Sequence, residues 1–161
     1  MMEKIYIPSA EGTAMYKKIL IATDGSDHSE EAEKHGLTLA KRSKAVVTAL
    51  YVVEVVHPSR SIASPPSLLL EEQIEEHTAE GKKIVEEVVE KGKEMGVEVQ
   101  PVVAEGHPAN EIIEHAKGHD LVVMGTLGRS GFSHLLVGSV AEKVVRHAPV
   151  PVLVVRFKED E

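Results

Sequence analysis

The chain has 161 residues, 42% of them hydrophobic and 27% charged, which suits one domain with a buried core. It has no cysteine, so disulfides and thiolate metal sites are excluded, in keeping with a reducing cytoplasm. A net charge of −8 with 3% aromatic residues argues against a protein that tracks nucleic-acid phosphates or stacks on bases, and no apolar run approaches the length of a membrane span.

Residues 1–15 read as an N-terminal extension ahead of a second plausible start at Met15; they lack the apolar core of a signal peptide. The first strand spans residues 18–23, where Ile19, Leu20, Ile21 and Ala22 form the continuous apolar run of a strand covered on both faces. Asp24-Gly25-Ser26 turns the chain, and Ser26 or Asp27 caps a helix to about Ser43 whose inward stripe is Ala32, Gly36, Leu39 and Ala40. Residues 45–54 are a second strand, and the Pro- and Ser-rich residues 57–67 are a loop. A long helix over 69–95 carries Leu70, Ile74, His77, Gly81, Ile84, Val88 and Met95 on one stripe and glutamates on the other face, most simply a solvated one. Gly81 and Gly92 cost helix propensity and point to close approach of a neighbour.

A third strand follows at 97–104, with Pro101 favouring an edge or a bulge. Pro108 then stands at the first position of a helix to about His119, burying Ala109, Ile112, Ile113 and Ala116. Leu121, Val122, Val123 and Met124 make the fourth strand. After a glycine-rich loop, Ser139 opens a helix to His147, Pro149 and Pro151 end it, and residues 152–155 are the last strand. The alternation predicts an α/β fold with a doubly wound parallel sheet and helices on both faces. Residues 158–161 are a charged tail.

The chemistry concentrates after the fourth strand. Gly125, Gly128 and Gly138 allow close approach of a ligand or positive φ, and a helix N-terminus with the Ser139 hydroxyl, itself a good N-cap, suits phosphate. The alternative is that the glycines only make turns. No Gly-Lys-Ser/Thr P-loop occurs, so backbone amides, Ser139 and Arg129 would have to hold any phosphates, with Ser130, Ser133 and His134 as further donors. Asp24 can make an Asx-turn or cap a helix, or it can accept from a ligand at the end of the first strand. Glu111, His115 and His119, four apart on one helix, have metal-binding spacing, but cationic groups near a helix C-terminus are the simpler reading.

Glycine, any two residues, glycine, any nine, glycine, serine is the spacing from Gly125 to Ser139. Together with Asp24 in Ile21-Ala22-Thr23-Asp24-Gly25-Ser26, it resembles the nucleotide-binding signature of the universal stress protein family, over residues 16–157. The resemblance implies strand order 3-2-1-4-5, with Asp24 and the glycine loop flanking one crevice at the reversal point. It implies phosphates and ribose at Gly125, Gly128, Arg129, Gly138, Ser139 and Val140, Asp24 on the nucleoside, and Ala22, Val52 and Met124 beside the base or sugar. Ala22 stands where family members often carry proline. The ligand implied is ATP, ADP or AMP, with Mg²⁺ held mainly through the phosphates. The expected protein is a nucleotide-dependent regulatory module of the stress response with an unknown protein partner, a homodimer through residues 152–157. No catalytic residue and no metal ligand is assigned. The alternatives are a slow ATPase or nucleotide-dependent transferase, and a dimeric scaffold that has lost its ligand.

Overall fold

The computed structural model describes residues 15–55, 68–128 and 137–157. Residues 1–14 of the extension, the Pro/Ser loop, the tail and residues 129–136, with Arg129, Ser130, Ser133 and His134, lie outside the described residues. Five strands and four helices alternate: β1 (Lys18–Ala22), α1 (Asp27–Ser43), β2 (Val46–Glu54), α2 (Leu68–Met95), β3 (Val99–Gly106), α3 (Pro108–Ala116), β4 (Leu121–Gly125), α4 (Ser139–His147) and β5 (Val152–Val155).

All pairings are parallel and the order is β3-β2-β1-β4-β5, as the family resemblance implied. Alternation along β1 divides the core. Ile19 and Ile21 pack with Ala32, Leu37, Val85 and Val88 of α1 and α2, whereas Leu20 and Ala22 pack with Ala109, Ile112, Ala141 and Val144 of α3 and α4. Sequential strands β1 and β2 are neighbours on one side, and β4 joins β1 on the other with Ile19 opposite Leu121. The chain therefore reverses its winding between β1 and β4. Pro101 lies in β3, an edge strand, where the missing N–H is tolerated.

Helix α2 differs in detail from its periodic reading. Its buried residues are Gly81, Val85, Val88 and Gly92, and His77 is exposed. A helix of 28 residues is about 42 Å long, longer than the nine-residue β2; Ile74 near its start packs against the core, while His77 stays exposed. The two glycines mark close approach as expected: a Cβ on Gly81 would lie 2.4 Å from the Tyr51 ring, and one on Gly92 2.4 Å from Val99. On α1, Leu39 is half-buried, while Leu37 and Glu33 join the buried side.

Candidate functional site

At the reversal point the C-terminal ends of β1 and β4 open into a cavity of about 570 Å³. It is lined by Ala22, Asp24, Val52, Met124, Gly125, Gly128, Gly138, Ser139 and Val140, which are the residues singled out in the sequence except Arg129. The size falls within the range of small-molecule pockets. Leu50, Pro108 and Ile112 add to its apolar wall, Thr23 and Thr126 add hydroxyls from within the motif, and Ser29, Glu54 and His77 add polar groups from outside it. Glu54 ends β2, so its position follows from strand length. His77 is brought in by the packing of α2 over the sheet, which no local pattern reports.

The turn after β1 is fully specified by its own amides. Thr23 N–H donates to the Leu50 carbonyl at 3.0 Å, Asp24 N–H to Ser29 Oγ at 3.4 Å, Gly25 N–H to Thr23 Oγ1 at 3.3 Å, and Ser26 N–H to Asp24 Oδ1 at 2.9 Å. Asp24 thus makes the Asx-turn, while its side chain also lines the cavity. Gly25 takes φ +77°, which glycine adopts without steric cost. Ser26 is the N-cap of α1, its side chain accepting from Ser29 N–H.

The second wall corrects the sequence reading in two respects. Gly125, Gly128 and Gly138 do not have positive φ. Proximity marks them instead: a Cβ on Gly125 would lie 2.8 Å from the His28 carbonyl oxygen, on Gly128 2.7 Å from Asp24 Oδ2, and on Gly138 3.1 Å from the Thr126 carbonyl oxygen. Nor is Ser139 the N-cap of α4. Gly138 occupies that position, in extended conformation and without a side-chain cap, and Ser139 is the first helical residue. The reason is a backbone hydrogen bond: Gly138 N–H donates to the Thr126 carbonyl at 2.7 Å, closing the glycine loop one residue earlier. The first intrahelical bond runs from Glu142 N–H to Gly138 O at 2.9 Å. The amides of Ser139, Val140 and Ala141 are therefore left without intrahelical partners, and all three residues line the cavity.

Helix α3 ends at Ala116, short of the expected His119, and His115 in the helix and His119 beyond it are both engaged in the fold. His115 Nδ1 lies 2.9 Å from the Glu111 carbonyl and His119 Nδ1 2.7 Å from that of His115. A carbonyl only accepts, so Nδ1 carries the hydrogen in each ring, and a neutral His119 accepts the Thr48 hydroxyl at Nε2, 2.8 Å away.

A parallel sheet with helices on both faces and a cavity beyond the strand C-termini at the switch point defines the doubly wound α/β class. Within that class, residues 15–156 match the model of the universal stress protein family. A universal stress protein of Methanocaldococcus jannaschii is 44% identical over 153 residues, covering 93% of this chain and 88% of the relative. Among solved structures, a universal stress protein from Lactobacillus plantarum superposes with TM-score 0.77 at 30% identity, over 88% of this chain and 98% of its own. A universal stress protein solved in complex with cAMP superposes with TM-score 0.66 at 26% identity, over 88% and 97% of the two chains. The chain belongs to the universal stress protein family.

Proposed function

We propose that the cavity binds an adenine nucleotide, with ATP as its principal ligand, and that the protein works as a nucleotide-dependent binding module. The observation that carries this reading is the start of α4. Three residues whose amides have no intrahelical partners line the cavity, and the helix is capped by a glycine that supplies no competing side chain. Such an end favours a phosphate through its N–H groups and its dipole. The Ser139 hydroxyl, not used as a cap, is a further donor. Ala22, Leu50, Val52 and Met124 give an apolar wall suited to a purine, and Asp24 offers carboxylate oxygens to hydroxyl or amino groups. The cAMP complex of a family member supports the ligand class.

Among the described residues no group of three His, Asp or Glu could hold a metal, so Mg²⁺ would arrive with the nucleotide and be held by phosphates and water. β5 is a sheet edge of four apolar residues, and pairing with a second copy through residues 152–157 would cover it.

Titration calorimetry with ATP and MgCl₂ tests the reading: saturable uptake is expected, and no heat at millimolar ATP would overturn it. One observation favours a second reading, a slow ATPase. Glu54 and His77 also line the cavity and are candidate proton acceptors for an attacking water. ADP formation that disappears in Glu54→Gln would select it.

A further inference from the structure

Glu33 sits in α1 among the charged residues Glu30, Glu31 and Lys34, yet it is 3% exposed. A carboxylate at that depth is costly unless its oxygens are matched. Both are. Oε1 accepts the Thr23 hydroxyl at 2.5 Å, and Oε2 accepts Lys91 Nζ at 2.8 Å. Lys91 belongs to α2 and lies 58 residues away in sequence. It also stands 3.8 Å from Glu30.

The effect of this pairing reaches the cavity. Thr23 has one hydroxyl hydrogen, and Glu33 takes it. The Thr23 oxygen is then oriented as an acceptor, and Gly25 N–H donates to it at 3.3 Å. Ser29 Oγ, 3.1 Å from Thr23 Oγ1, donates to the Ser26 carbonyl at 2.9 Å and accepts Asp24 N–H at 3.4 Å. Thr23 and Ser29 are both buried and both line the cavity. A continuous polar chain therefore runs from the surface of α2, through Lys91, Glu33 and Thr23, to the turn that carries Asp24.

We propose that Glu33 is a positioning residue for the candidate nucleotide site. By fixing the Thr23 hydroxyl it sets the turn from which Asp24 faces the cavity. By holding Lys91 it makes that setting depend on how α2 is seated against α1, so that the site and α2 are coupled in both directions. The coupling to ligand rests on the nucleotide reading above; the control of the turn does not.

The test uses the full chain and four variants: Glu33→Gln, Lys91→Met, Lys91→Arg and, as a control on an exposed ion pair of α1, Lys34→Met. Amide hydrogen exchange of Asp24, Gly25 and Ser26 is measured without ligand, and ATP affinity is measured by calorimetry with Mg²⁺. Glu33→Gln and Lys91→Met are expected to speed exchange at the three turn amides and to weaken ATP by about tenfold, the scale of a lost charge-assisted hydrogen bond. Protection of Val122 and Val123 in β4 should persist, Lys91→Arg should restore both properties, and Lys34→Met should change neither. If Glu33→Gln does not fold, Lys91→Met decides. Unchanged turn exchange in Lys91→Met overturns the proposal. So does faster exchange spread equally over β4, or faster turn exchange with unchanged ATP affinity, because the network would then support the fold and not the site. If the wild type takes up no ATP, the nucleotide reading falls, and the exchange comparison alone decides the role of Glu33 in the turn.

Discussion

Gly128 faces Asp24 across the cavity so closely that a Cβ on Gly128 would lie 2.7 Å from Asp24 Oδ2. The two residues are more than a hundred positions apart in the chain, and each leaves the C-terminal side of a neighbouring strand. The obstructing atom is the end of a side chain, which can swing aside. Gly128→Ala should therefore fold normally but displace the carboxylate, weakening ATP by about tenfold, or about 1.4 kcal/mol. Calorimetry together with an unchanged thermal midpoint would verify this.

Gly125→Ala should behave differently. Its Cβ would meet the His28 carbonyl oxygen at 2.8 Å and the carbonyl carbon at 2.9 Å, both backbone atoms at the start of α1. Backbone cannot step aside without moving the helix. A loss of stability of about 1–3 kcal/mol is expected, the usual cost of overpacking. Urea unfolding of the two alanine variants side by side separates a defect in the fold from one in the site.

Asp24 has two functions that substitution can separate. Asp24→Asn keeps an oxygen to accept Ser26 N–H, so the Asx-turn survives while the charge is lost; Asp24→Ala removes both. Exchange protection of Ser26 should fall only in Asp24→Ala. Nucleotide affinity should fall in both if the carboxylate charge contacts the ligand, and a wild-type affinity in Asp24→Asn would restrict Asp24 to the turn.

Asp120 gives a pH dependence with a defined sign. Its carboxylate accepts Lys17 N–H at 2.8 Å and Lys18 N–H at 2.9 Å, holding the start of β1 against the start of β4. The Lys17 and Lys18 amides, in that order, hold its pKa below the ordinary value, against a smaller opposing effect of burial. A folded-state value below the unfolded one adds stability that is present in full above the unfolded value. That stability is lost as pH falls through the folded value, at and below about pH 4. Asp120→Asn should flatten the acid limb of the urea midpoint plotted against pH, with little change in its slope above pH 6.

Gly81→Ala should destabilise the protein by about 1–3 kcal/mol, because its Cβ would fall 2.4 Å from the buried Tyr51 ring. Tyr51 also lines the cavity, so the variant should lower ATP affinity as well as the unfolding midpoint. Tyr51→Phe keeps the ring and should leave the packing with Gly81 intact.

Local sequence determined the elements, and the family resemblance implied most of the cavity wall. Apolar runs such as 121–124, turn residues such as Asp24-Gly25-Ser26, and Pro101 on an edge strand each act through near neighbours in the chain, so periodicity and composition suffice to read them. The strand order came from the resemblance, because pairing between strands depends on contacts that no local pattern encodes. Tertiary structure alone decided the rest. Glu33 lies outside the inward stripe read for the first helix, and Thr23 and a lysine 58 residues away make its burial tolerable. Ser139 looks like a cap until the Thr126 carbonyl takes the Gly138 amide and shifts the start of the helix. Glu54 and His77 line the cavity because β2, still paired with β3, runs on past the end of β1, and because α2 packs over β2. In each case the deciding partner is distant in sequence or fixed by how long neighbouring elements run, and that is information a chain reveals only once it is folded.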